Sequence, residues 1–323
     1  MKRFIAIVLL VLSLSSCAST KQKVTLVAHD SFAISDELIA EFEKSSGYEL
    51  EVVRAGDVGG MTSKLVLTKD SPIADLVYGI DNTFSPVAIK NKVIDGNLTA
   101  IDYADVCFNV DLNYFAANNL EIPSHWKELT DPKYKNLTVI ENPNTSSPGL
   151  AFLAATYAYL TNPQDIPEPI GWWLQLRDNG VKVAASWEDA YYTDFSGSTG
   201  KGEYPIVLSY SSSPAYEVDE LGKPKTQALL RDCFRQTEYA GLLTNAKNKT
   251  GAKAFIEFML GENFQKALPE SMYVYPINSS VKLPKAWEEN AKPATSIVGD
   301  KLDISANRDK WLADFNWVFE VAP

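Results

Sequence analysis

The sequence predicts an α/β protein with mostly parallel strands, and three observations carry that prediction. Apolar, strand-like runs alternate with amphipathic helical stretches from residue 24 onward. Helix starts and glycine stops fall between them. The 323 residues are 46% hydrophobic and 22% charged with no low-complexity tract, enough to bury one large core or two ordinary ones.

Taken in order, "VTLVA" (24–28) reads as a first strand. "SDELIAEFEKSSG" (35–47) reads as a helix begun at Ser35 and stopped at Gly47. "ELEVVRA" (49–55) is a second strand, "GMTSKLVLTKD" (60–70) a helix and "ADLVYGI" (74–80) a third strand. "PSHWKELTDPKYKN" (123–136) reads as a helix, turn and lead-in, with Trp126 in the core. "NLTVIENPNTSSPGLAFLAATYAYL" (136–160) gives a strand, a polar loop and a long apolar helix. "GAKAFIEFMLGENFQKAL" (251–268) reads as one amphipathic helix with Phe255, Phe258 and Met259 on one face. "NRDKWLADFNWVF" (307–319) is another, with Trp311 and Phe315 as packing residues at i,i+4 spacing.

In open α/β sheets, ligands gather beyond the carboxyl ends of the strands. The clusters at those places are "HDSF" (29–32), "GDVGG" (56–60) and "DNTFSP" (81–86). Two further clusters share one form: "TSSPGL" (145–150), and "SSSPAY" (211–216) after the apolar run Ile206-Val207-Leu208. In each, serine precedes proline at an expected helix start, with Ser147 or Ser213 as N-cap and Pro148 or Pro214 as first helical residue. Capping alone explains one serine per cluster. The extra hydroxyls of Ser146, Ser211 and Ser212 exceed that need, and free amides at a helix start favour an anion or an electron-rich oxygen.

The N-terminus carries its own message. Lys2-Arg3 precedes an apolar run, Phe4–Leu14, too short to span a bilayer comfortably. It leads into "LSSC" (14–17), which resembles the lipobox of bacterial lipoproteins; the plainer alternative is a signal peptide with an incidental cysteine. Residues 1–16 are therefore expected to be a lipoprotein signal peptide, Cys17 the lipidation site and 17–23 a tether. The expected location is extracytoplasmic, in the periplasm or on the cell surface, with membrane attachment through lipid.

Net charge is −11. Loss of Lys2 and Arg3 with the signal peptide leaves about −13 by counting. Nucleic acid is thereby a poor partner, whereas a cationic or neutral small ligand is easily accommodated. Cys107 and Cys233 suggest no local staple and leave pairing open; two buried free thiols are the expectation. Metal-ligand spacing of Cys and His is missing, with His29 and His125 the only histidines, so no metal and no cofactor is expected.

An enzyme reading finds little to hold. A secreted hydrolase of the Ser-His-Asp kind would need His29 or His125, and no G-x-S-x-G elbow occurs. "GSTGKG" (197–202) lacks the full phosphate-loop spacing and reads as a surface loop. Acid pairs such as Asp189 and Asp194 are ordinary in an acidic chain.

"HDSFA", "ADLVYGIDN", "IDYADVCFNVD", "TSSPGL", "SWEDAY", "VLSYSSSPAY", "MYVYP" and "KPAT" together resemble, in order and at similar spacing, the thiamine-binding solute-binding proteins of bacterial ABC importers. The resemblance covers almost the whole mature chain. It implies a two-domain periplasmic-binding-protein fold of type II, the Venus-flytrap form, with two interdomain crossovers and a C-terminal helical segment. With crossovers near 102–111 and 235–243, domain 1 would comprise 24–104 plus 240–323, and domain 2 would comprise 105–239. It implies thiamine or its phosphate esters held in the cleft by a monomer and passed to a membrane permease.

Carried over by motif, the implied ligand contacts are Asp57, Ser146, Ser147, Trp187, Tyr210, Ser211, Ser212 and Ser213, with Tyr216 and Tyr273 lining the pocket. Thiamine has two flat heteroaromatic rings, one permanently cationic, which suits aromatic faces. A carboxylate such as Asp57 can accept a hydrogen bond from the aminopyrimidine, and serines at helix starts can hold the hydroxyethyl group or a phosphate. Three departures stand out. This chain lacks a Trp-containing insertion after the first strand, reads Asp57-Val58-Gly59-Gly60 where the family has Asp-Gly, and has Tyr273 where the family has Trp. Two alternatives share the superfamily. Adjacent Tyr191-Tyr192 resembles the tyrosine pair of ferric-ion-binding proteins, and carboxylates with aromatics also suit a polyamine.

Overall fold

The computed structural model describes residues 21–160, 169–299 and 302–322. The signal segment and Cys17 lie outside the described residues. Among those described, no helix is long and apolar enough to cross a membrane.

The chain builds one curled, mixed sheet. Its strands are β1 (Lys23–Ala28), β2 (Glu49–Arg54), β3 (Leu76–Asp81), β4 (Thr99–Asp111), β5 (Thr138–Glu141), β6 (Lys182–Ala184), β7 (Ile206–Tyr210), β8 (Thr226–Ala228) and β9 (Cys233–Leu242), with two-residue strands β10 (Tyr275–Pro276) beside β4 and β11 (Ile297–Val298) beside β9. The spatial order is β2-β1-β3-β9-β4-β7-β5-β6, with β8 beside β4. β2, β1 and β3 are mutually parallel, and so are β7, β5 and β6. At the centre, however, β3 meets β9, β9 meets β4 and β4 meets β7, all antiparallel. The expected mostly parallel sheet is thus two parallel wings joined through an antiparallel middle. The two long central strands, 13 and 10 residues, carry the chain from one wing to the other and back.

Local signals explain the first wing. Ser35 caps the helix Asp36–Ser46 by accepting from the Leu38 amide, and Gly47 ends it in the left-handed region at φ 78°. Phe42 from that helix packs with Phe255 and with the buried β1 residues Val24 and Leu26. In the second wing the helix Ser147–Leu160 is buried on nearly every side, so its apolar sequence has no solvent face. Trp126, Trp172, Trp173 and Phe152 meet edge to face beneath it, and Trp311 and Phe315 join the same core.

Several expectations are corrected. Cys107 and Cys233 are not free thiols: they form a disulfide across 126 residues, with Cα atoms 5.1 Å apart. They sit on β4 and β9, whose register pairs Val106 with Phe234, so the strand pairing brings the two cysteines together. Residues 251–268 form two helices, Lys249–Met259 and Glu262–Met272, because Gly261 adopts an extended backbone between them. The expected helix near Trp126 is two short 3-10 turns, Trp126–Thr130 and Pro132–Tyr134, interrupted at Asp131 before its proline.

The two SSP turns also differ from expectation by one residue. The long helix begins at Ser147 itself, with Ser146 immediately before it, and the Leu150 amide donates to the Ser146 carbonyl. Ser213–Ala215 is a single 3-10 turn, preceded by Ser212, whose side chain makes no cap. Ser213 instead exchanges a hydrogen bond with Ser209 at 3.0 Å, which draws it back onto the strand.

Candidate functional site

Where the two wings face each other, a cavity of about 250 Å³ is lined by segments that follow β1, β2, β5 and β6, by the last residue of β7, by part of β9 and by residues 271–274. Its walls include His29, Asp57, Ser147, Trp187, Glu188, Tyr192, Tyr210, Glu238 and Tyr273. Neither lysine nor arginine is among the lining residues.

Asp57 follows β2 and precedes the helix Val58–Thr68, so its first carboxylate oxygen accepts the Val58 amide at 2.7 Å. Its second oxygen reaches across the cavity to accept the Trp187 amide at 3.1 Å. Burial raises the Asp57 pKa, and the Val58 amide, the Ser146 hydroxyl, the Trp187 amide and His29 offset only part of that. Next to it, the Gly59 amide donates to the Thr145 carbonyl of the opposite wing at 2.9 Å. A Cβ on Gly59 would lie 2.7 Å from that carbonyl oxygen, so only glycine permits the approach.

Trp187 stacks on Tyr191 at 4.9 Å and 13°, meets Tyr192 edge to face at 5.4 Å, and donates its indole N–H to Ser209 at 3.0 Å. It is therefore held rigidly, one face covered by Tyr191 and the remainder toward the cavity. Tyr191 itself is buried and donates to Glu217 at 3.2 Å. The adjacent tyrosines thus differ in role: Tyr192 lines the cavity, and its hydroxyl lies 3.5 Å from that of Tyr273. Among the described residues no group of three or more His, Cys, Asp or Glu side chains is placed to hold a metal ion.

The floor is acidic. Tyr210 ends β7, and its hydroxyl pKa is pushed well above the ordinary value by burial and by the charges of Glu238, Asp57, Glu141 and Asp81. His29, just after β1, lies 3.7 Å from Glu238. Burial pulls its pKa down, but Glu238, Asp57 and Asp30 outweigh burial and hold it raised. Gly79, at φ 90°, leaves the space that the His29 ring occupies; any side chain there would strike it. Behind Glu238, the Tyr78 hydroxyl donates to Asp102 at 2.5 Å and bonds Glu238 at 3.2 Å. Burial and the charge of Glu238 keep the Asp102 pKa well raised.

Of the residues singled out from sequence, Asp57, Ser147, Trp187, Tyr210 and Tyr273 line the cavity. Ser146, Ser211, Ser212, Ser213 and Tyr216 are not among its lining residues. Ser146 is buried behind Ser147 beside Asp57, close enough to lower its pKa yet outside hydrogen-bond geometry. Ser211 is buried with its hydroxyl unpartnered, and Ser212 donates to the Tyr273 carbonyl at 2.6 Å. Tyr216 packs on the ring of Tyr273. His29, Glu188, Tyr192 and Glu238 were not selected from sequence, although His29 opens a strand-end cluster. Glu238 lies inside a strand, where no local signal marks it.

Two sheet wings joined by a pair of crossing strands, with a small-molecule cavity between them, define the class of solute-binding proteins of the periplasmic-binding type. The chain belongs to the bacterial extracellular solute-binding protein family, whose profile matches residues 74–296. It is 28% identical over 329 residues to a thiamine-binding periplasmic protein of Brucella melitensis, covering 94% of each chain. It is 29% identical to the thiamine-binding periplasmic protein of Escherichia coli, covering 91% of this chain and 93% of that one. Among solved structures, a periplasmic thiamin binding protein superposes with a TM-score of 0.80 at 24% identity, over 93% of this chain and 97% of that one. A ferric binding protein from Campylobacter jejuni superposes with a TM-score of 0.69 at 16% identity, over 92% and 99%.

Proposed function

We propose that this chain captures thiamine in the cavity between its wings and delivers it to an ABC permease, acting as a binding protein and not as an enzyme. One observation carries the reading. Aromatic rings from both wings (Trp187, Tyr192, Tyr210 and Tyr273) surround the same cavity as the Asp57, Glu188 and Glu238 carboxylates, with no lysine or arginine in its lining. That chemistry suits a flat, cationic heteroaromatic ligand, which stacks on ring faces and is drawn to carboxylates. The names of the curated relatives agree with it. The ten residues selected from sequence divide accordingly. Asp57, Ser147, Trp187, Tyr210 and Tyr273 touch ligand, whereas Ser146, Ser211, Ser212, Ser213 and Tyr216 support those that do. The domains would part within the central strands, at 104/105 and 239/240.

Mass spectrometry under native conditions should find thiamine in the freshly purified protein, and titration should quench tryptophan fluorescence saturably. Trp187→Ala should weaken binding by about 1–3 kcal/mol. Trp187→Phe, which keeps a ring against Tyr191, should recover part of that loss. A folded Trp187→Ala protein of undiminished affinity would leave Trp187 as a packing residue only.

The protein is also proposed to be anchored through Cys17. In Cys17→Ser the precursor should stay uncleaved by lipoprotein signal peptidase, or a soluble form should be released. Fractionation showing the variant as membrane-bound and processed as wild type would remove the anchor from the account.

A further inference from the structure

Thiamine carries a permanent positive charge on one ring, and a cavity whose lining holds neither lysine nor arginine can answer it with aromatic faces or with a carboxylate. Three carboxylates line the cavity: Asp57, Glu188 and Glu238. Their surroundings separate them.

Asp57 is engaged at both oxygens, which accept the Val58 amide at 2.7 Å and the Trp187 amide at 3.1 Å. Backbone amides already balance part of its charge, and its remaining lone pairs suit a neutral donor such as the aminopyrimidine. Glu188 is half-buried beside the exposed Asp189, so water screens it. Glu238 differs from both. It lies in the interior of β9 and is 5% exposed, where little water screens a charge. Its hydrogen bonds are long and come from neutral groups. Gln236 donates at 3.3 Å, and the Tyr78 hydroxyl lies at 3.2 Å but stands closer to Asp102, at 2.5 Å. Arg235, on the same strand, is paired with Asp105 instead. The base beside Glu238 is His29, whose Nε2 lies 3.7 Å away and makes no hydrogen bond. A buried carboxylate with no fixed cation at hand is costly unless a partner arrives to share the charge.

Resting on the thiamine reading, we propose that Glu238 is the specificity-determining group of the cavity: its carboxylate is the counter-ion of the cationic ring and makes the site select a positively charged ligand over a neutral one of the same shape. Asp57 and the aromatic walls then serve the parts of the ligand that charged and neutral molecules share.

Calorimetric titration of ligand-stripped protein with three ligands tests this. They are thiamine, its pyridinium analogue, which keeps the charge on a different ring, and its thiophene analogue, which keeps the shape without the charge. At about pH 8, above the ordinary imidazole range, competition from a protonated His29 is reduced. Wild type should bind both cations at least about tenfold more tightly than the thiophene analogue. Glu238→Gln, of the same size, should weaken the cations at least about tenfold and the thiophene analogue less than about threefold, closing the gap. Glu238→Asp keeps the charge but draws it back, so a reduced preference should remain, and it carries the test should the Gln variant not fold. Asp57→Asn should weaken all three ligands alike and leave the preference as it is. A wild type that binds thiamine and the thiophene analogue equally would overturn the role of Glu238 and leave the thiamine reading standing. Failure of all three ligands to bind would overturn both. A preference that survives in Glu238→Gln would assign charge selection to the aromatic faces and sink the proposal. Equal loss of all three in a variant that melts near wild type would make Glu238 a structural group only.

Discussion

Asp57→Ala should weaken thiamine binding about a hundredfold or more, roughly 2.7 kcal/mol, while the protein still folds. Three losses combine. The ligand loses a carboxylate acceptor, and hydrogen bonds to charged groups contribute about 1.5–3 kcal/mol each. The Trp187 amide loses its partner across the cavity, so the wall that carries the indole is no longer tied to the opposite wing. The helix Val58–Thr68 loses its cap, which costs about 1 kcal/mol of stability and touches affinity little. Asp57→Asn separates these contributions. Its carbonyl oxygen can still cap Val58, but its amide nitrogen cannot accept from Trp187. Asn should therefore melt closer to wild type than Ala does and bind nearly as poorly. Calorimetric titration beside thermal melts would show it, and an Asn variant with wild-type affinity would mean that the charge of Asp57 contributes nothing to binding.

The second large effect falls on stability. The Cys107→Ser, Cys233→Ser double variant should lose about 2–4 kcal/mol, because the bond closes a loop of more than a hundred residues. For a chain of this size that corresponds to a fall in Tm of roughly 5–15 °C. Binding should be nearly unaffected below the transition. The two strands keep their ladder and their flanking ion pair, in which Arg235 donates to Asp105 through two nitrogens. A double variant melting within a degree or two of wild type would show that the covalent bond adds little to the stability the ladder already supplies. Loss of binding in a folded variant would show that the strand crossing also sets the geometry of the cavity.

What could be read from sequence was the chemistry that acts over a few residues. Ser35 and Gly47 delimit their helix by satisfying its terminal backbone groups, and both signals are local. The clusters after β2 and β5 point to Asp57 and Ser147, because a strand end is where the backbone turns outward, whereas the cluster after β1 does not single out His29. The remainder depends on partners distant in the chain. Cys233 finds Cys107 through strand pairing that no spacing encodes. Glu238 becomes part of the cavity floor because β9 lies between β3 and β4. The second SSP turn departs from the expected cap because Ser213 is drawn to Ser209, a contact that overrides its capping tendency. Gly261 divided what periodicity joined, since the apolar stripe of the two helices runs on past the break.

Three hydrogen bonds reach across the cavity: Trp187 to Asp57, Gly59 to Thr145 and Ser212 to Tyr273. Each contributes only about 0.5–1.5 kcal/mol net, since water replaces a broken partner at once. Such bonds exchange readily for water, unlike apolar packing, which resists the first ångström of separation. Residence time of the ligand would then depend chiefly on its own contacts in the cavity. The wings would then part at the cost of a few hydrogen bonds that water replaces, so that exchange of ligand would need no energy source within the chain itself.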